Sequence, residues 1–125
     1  MHQPDLFPLY SLPKAKWVDP QEVAKWATWR DAVSWCWASQ RYHSTAQNKG
    51  TQVTFRNFCE LVYQLNPHPP HVSRWLDVDS KAPMDLPPHY VAAFESFTGW
   101  RGLTQFFNRK AGTTCLEEVT ARMAA

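Results

Sequence analysis

From Asn66 to His71 the chain reads Asn-Pro-His-Pro-Pro-His, three prolines in six residues set between two segments of helical periodicity. Proline has no amide hydrogen and steers the residue before it away from the helical region, so no single helix can run through this stretch. On its N-terminal side Thr54 can cap a helix whose apolar face is Phe55, Phe58, Leu61, Val62 and Leu65, ended by Asn66 and Pro67. On its C-terminal side a short helix from about Pro70 to Leu76 follows, with Pro70 at the first position, where a missing N–H costs nothing. Two helices joined by a stiff turn are therefore imposed at this point.

Taken as one unit from Phe58 to Asp77, the segment places Leu61, Leu65, Pro67, Val72 and Trp75 at the positions that lock the two helices of a helix-turn-helix. Asn66 falls where such a turn needs a left-handed residue. His68, Pro69, His71 and Arg74 are left facing outward on the N-terminal half of the second helix, where a motif of this kind touches base edges. Arg74 can donate a bidentate pair to guanine, while Ser73 and the amides at the helix N-terminus can hold phosphate. Lys49 and Arg56 are the candidate phosphate contacts beside them. Formal net charge is only +2 for the whole chain, yet Arg41, Lys49, Arg56 and Arg74 stand against Glu60 alone between positions 41 and 76, a local +3. Two features depart from the usual pattern. Val62 stands where the helices touch most closely and a small residue is usual, and the proline-rich turn is stiffer than most.

The rest of the chain reads as helix. Residues 1–19 carry Pro4, Pro8 and Pro13 among Leu6, Phe7, Tyr10 and Leu12, and form either a tail or an arm whose aromatic groups pack on the domain or a partner. Asp19-Pro20-Gln21-Glu22 marks a helix start, followed by Val23, Trp26, Trp29 or Arg30, Val33 and Trp37 at steps of three and four to about Arg41. Tryptophans at that spacing more commonly form a core stripe than a platform for stacking bases. Further helices open on Pro87-Pro88 and stop at Thr98-Gly99, span Leu103, Phe106 and Phe107 to Ala111-Gly112, and begin at Thr113 or Thr114 with Leu116 and Val119 inward. No period-two strand appears. The expectation is one all-α domain of five to six helices over residues 20–125, with the helix-turn-helix at about 54–77.

Composition agrees with a single core: 125 residues, 44% hydrophobic, 14% aromatic and seven tryptophans. No apolar run approaches the roughly 20 residues a membrane span needs, and the N-terminus lacks the order of a signal peptide, which together read as a cytoplasmic protein with no membrane partner. Cys36, Cys59 and Cys115 are odd in number and widely spaced, so they read as reduced core residues.

The order of Thr54-Phe55 to Leu61, Pro70 to Leu76, Met84 to Gly99, Leu103 to Gly112 and Cys115 to Val119 resembles small phage and prophage helix-turn-helix regulators of the lambda-repressor-like class. The resemblance covers about Trp26 to Met123. It implies a transcription regulator on double-stranded DNA, commonly dimeric on a repeat-containing operator, with His68, Pro69, His71, Ser73 and Arg74 as its reading helix. Phage genomes also turn such folds into antirepressors or inhibitors of host defence, so the alternative is a protein that binds a host protein.

A homodimer is expected independently, because one such motif covers half a site. Residues 90–119 carry more apolar surface than the motif needs as backing (Tyr90, Phe94, Phe97, Trp100, Phe106, Phe107, Leu116), with Phe106 and Phe107 as the candidate interface pair. Other chemistries have thin support. His68 and His71 could share one turn of a metal site only with Cys59 or His43 as a third ligand. Cys59 has no evident activating neighbour for a Cys-His pair. With no Gly-rich phosphate loop and no acid pair in a loop, neither an enzyme nor a cofactor is expected.

Overall fold

In the computed structural model, residues 14–42 and 50–112 are described, together with Thr120 and Met123. They form six α-helices: α1 Pro20–Val23, α2 Trp29–Ala38, α3 Gln52–Tyr63, α4 Pro69–Leu76, α5 Val91–Thr98 and α6 Gly102–Lys110, with a 3-10 turn at Pro88–Tyr90 before α5. No strand occurs among the described residues; Lys16 and Trp100 form an isolated parallel bridge. The all-α expectation holds. None of the described helices is long and apolar enough to cross a membrane.

The expected long helix from Pro20 to Arg41 is two helices. Asp19 caps α1 through a bond from the Gln21 amide at 2.8 Å, with Pro20 in the first turn as expected. A second cap then interrupts the run: Thr28 accepts from the Asp31 amide, and the Asp31 carboxylate accepts from the Thr28 and Ala27 amides at 3.1 and 3.0 Å. Such a reciprocal cap satisfies donors that a continuing helix would have used, so the chain turns and starts again at Trp29. The start of α3 also shifts. Thr51 is the cap, and Thr54, expected to hold that place, is its reciprocal partner three residues on.

The helices pack as α2 on α6, α3 on α5, and α4 against both α2 and α3. Gly102 permits the α2–α6 approach, because a Cβ there would meet the Cys36 sulfur at 2.7 Å and the Trp26 ring at 2.9 Å. Trp37, Phe55, Phe58, Phe94 and Phe97 make one aromatic cluster, with ring centroids 5.3–6.2 Å apart. Trp26, Trp35 and Trp100 make another, at 5.7 and 5.2 Å. The tryptophans are spent on packing, as the core-stripe reading requires. Rings of this size each bury a large area and weigh heavily in core energetics.

Residues 16–18 strap the α6 end of the bundle. The Lys16 amide donates to the Gly99 carbonyl and the Arg101 amide to the Lys16 carbonyl, at 2.9 and 2.8 Å. Buried Gln105 then reads the Val18 backbone in both directions: its Oε1 accepts from the Val18 amide at 2.8 Å and its Nε2 donates to the Val18 carbonyl at 2.9 Å. The first thirteen residues of the expected arm, and Leu116 and Val119 of the expected last helix, lie outside the described residues.

Candidate nucleic-acid interface

Within the Phe58–Asp77 segment, α3 buries Phe55, Phe58 and Cys59 and packs Val62 partly against the core. These four fall on one stripe at 3.6 residues per turn. Leu61, expected to lock the two helices together, lies about 120° round from Phe55 and is 55% exposed. Of the expected locking set, Pro67, Val72 and Trp75 are buried and Leu65 is partly buried.

The turn places its strained residue earlier than expected. Gln64, with φ 55° and ψ 34°, ends α3 in the left-handed conformation, and the Leu65 amide returns to the Cys59 carbonyl at 3.1 Å. Asn66 does not take up positive φ; Gln64 is the single non-glycine residue to do so among the described residues. Pro67 then buries its ring, and His68 becomes the N-cap of α4, which begins at Pro69, one residue before the expected start.

On α4, Val72, Trp75 and Leu76 face the core. His68, Pro69, Pro70 and Arg74 are exposed, while His71 and Ser73 are half-buried. The His68 and His71 rings meet edge-on at 4.8 Å. Five expected reading residues are thus gathered on one short helix and its cap. The expected amide cradle for phosphate is absent. Pro69 and Pro70 have no N–H, and the next amide, of His71, is already donated to the His68 carbonyl at 2.9 Å. Any phosphate at this helix would have to be met by side chains.

Arg30, expected only on an apolar face of its helix, fixes the far end of α4. One guanidinium nitrogen donates to the Arg74 carbonyl at 2.9 Å and to the Met84 carbonyl at 3.4 Å; the other donates to the Asp77 carbonyl at 2.7 Å. The Met84 amide also returns to the Arg74 carbonyl at 3.1 Å. A cation on the final carbonyls of a helix complements its dipole, and here it joins α2 and the following loop to α4. The Arg74 side chain leans toward the same loop, with a guanidinium nitrogen 3.7 Å from the Met84 sulfur.

The local positive charge does not act as one group. Arg41 donates to the Lys14 and Gly99 carbonyls at 3.2 and 3.3 Å and lies over the Tyr42 and Trp100 rings. Lys49 lies outside the described residues, and Arg56 is half-buried on α3. Arg74 is the exposed cation of α4. Among the described residues no group of three or more His, Cys, Asp or Glu could hold a metal. The Cys59 thiol is fully buried, and burial, with the charge of Glu60 behind it, pushes it up to about 12. That is the setting of an inert core thiol.

A second concavity lies on another face. An open apolar groove of about 490 Å³ is floored by Trp29, Leu86 and Leu103 and walled by Pro88, Val91 and Phe107. The candidate interface pair divides here. Phe106 is 7% exposed and packs on Trp29 at 6.2 Å, so it belongs to the core, whereas Phe107 is 63% exposed. Adjacent residues on a helix point about 100° apart, so one of the pair faces inward.

Comparison with protein-family models, curated proteins and solved structures finds no match.

Proposed function

We propose that this chain is a DNA-binding transcription regulator of the phage helix-turn-helix type, dimeric on its operator, with α4 as the reading helix. The observation that carries the proposal is the division of faces on α4. Val72, Trp75 and Leu76 are buried, while His68, Pro69 and Pro70 project at the N-terminal end and Arg74 from the last turn of a helix whose far end Arg30 holds at the Arg74 and Asp77 carbonyls. A short helix anchored on its inner face and at its C-terminus presents its outer face as a rigid edge, which base readout in a major groove requires. Arg74 is the base-reading residue, His68, Pro69, His71 and Ser73 line its approach, and Arg56 with Lys49 contacts phosphate. Phosphate contacts set affinity and register, while sequence is read by base contacts, which fall to α4.

The test is binding to duplex DNA from the region flanking the protein's own gene, measured over a series of salt concentrations. Arg74→Ala should cost about 1–3 kcal/mol at one base position and relax specificity there. Arg56→Ala should weaken all sequences alike and reduce the salt slope by about 1. Retention of a protein partner with no salt-dependent affinity for DNA would replace this reading with that of a protein-directed inhibitor.

A further inference from the structure

The exposed phenyl of Phe107 stands on the rim of the apolar groove, with a carboxylate in the groove's lining and an ammonium one helical turn further along α6. Among the groove's lining residues only Asp85 and Thr104 are polar. The Asp85 carboxylate is exposed at its edge. One turn beyond Phe107 on α6, Lys110 is also exposed, its ammonium resting 5.4 Å from the centre of the Phe106 ring. A projecting ring, a hollow with room for one, an anion and a cation therefore share one surface.

We infer that this surface is where a second copy of the chain docks, two-fold related, with Phe107 of each copy entering the groove of the other and Lys110 of each meeting Asp85 of the other. A two-fold interface requires a self-complementary patch, in which residue i meets j while j meets i. A foreign peptide would have to bring both an apolar anchor and a cation spaced to suit the groove and Asp85. This chain already displays both, one helical turn apart, beside the groove they fit. Phe107 and the lining of the groove then exchange exposed apolar surface for burial, and the paired charges at the rim set the register. The inference rests on the proposal that the protein works as a dimer, and it names the face that makes one.

Sedimentation of the full chain at micromolar concentration, with circular dichroism to confirm helix content, tests it. The wild type should run near twice 14.5 kDa, and Phe107→Asp should run as a monomer of unchanged helicity. Asp85→Lys and Lys110→Asp each place like charges opposite one another at both ends of the interface, so each alone should dissociate more than about tenfold more readily. Mixed in equal amounts, the two variants should pair, because every facing charge is then opposite. A wild-type particle of 14.5 kDa overturns both the dimer and this surface, and leaves the groove to residues 113–125 of the same chain or to a foreign peptide. A wild-type dimer that persists in all three variants overturns this surface alone. Failure of the mixed charge variants to pair, with Phe107→Asp monomeric, overturns the two-fold geometry.

Discussion

Glu95 sits 8% exposed on α5, its carboxylate accepting from the Thr104 amide at 2.8 Å and from the Thr104 hydroxyl at 2.9 Å. It thereby joins α5 to the first turn of α6, where an acceptor is favoured by the unpaired amides and the helix dipole. Burial nonetheless raises its pKa above the usual 4.5; the Thr104 bonds and the charge of Arg101 offset that only in part. The folded state thus holds the proton more tightly than the unfolded chain, so this group's contribution to stability is greatest below the unfolded value and declines as pH rises through the folded one. In urea denaturation at a series of pH values, wild type should lose stability relative to Glu95→Gln as pH rises from about 4.5. Parallel curves would show that the carboxylate titrates as it does in water. At this same scale the sequence was partly legible. Buried Val72 and Trp75 follow from periodicity and buried Cys36 from the odd, widely spaced cysteines, but Gln64 in the left-handed region does not follow, since glycine and asparagine are the residues that ordinarily take it. The nearby Asn66 drew the expectation because of its type, while the return of Leu65 to Cys59 closes the helix two residues earlier.

At the scale of elements, the proline-rich break between α3 and α4 was readable because steric exclusion leaves a helix no way through it. The break between α1 and α2 was harder to see. Ala24, Lys25, Trp26 and Ala27 carry no helix breaker, and the cap that stops the run uses Asp31 where the familiar reciprocal cap has Glu or Gln. The helix-turn-helix register puts Leu61 inward, although Phe55, Phe58, Cys59 and Val62 already complete the buried stripe. Arg30 could not be assigned its role from sequence, because its three acceptors are backbone carbonyls forty-four or more residues away. Its replacement tests whether that clamp holds α4. Arg30→Met keeps much of the aliphatic stem and removes the donors, at a cost of about 1.5–3 kcal/mol for bonds involving a charged group, reduced by the partial exposure of this one. Hydrogen exchange at residues 71–77 should accelerate more than exchange in α3 or α5, and DNA affinity should fall with it. Uniform acceleration across the molecule would mean that the guanidinium supports the fold as a whole and not this helix.

Over the whole molecule, the six helices arrange two aromatic clusters and a strap, and only the clusters had a sequence signature. Tryptophans and phenylalanines at steps of three and four identify themselves as core, whereas residues 16–18 contain nothing periodic and were read as the end of a tail or arm. What binds them is Gln105, a polar residue inside an apolar helix face, fully buried and separated from Val18 by 87 positions. A primary amide offers one acceptor and donors on one planar group, so it can satisfy the N–H and the C=O of the same buried residue in a way that no hydrocarbon side chain can. Gln105→Leu preserves volume approximately but leaves both Val18 groups without partners, and a buried polar group deprived of its bond costs about 1–3 kcal/mol. The variant should therefore lose about 2–4 kcal/mol in denaturant unfolding, and the Lys16, Val18 and Arg101 amides should exchange ahead of the core. If stability is unchanged and these amides remain protected, the bridge between Lys16 and Trp100 holds the strap without Gln105, and the buried amide is incidental to it.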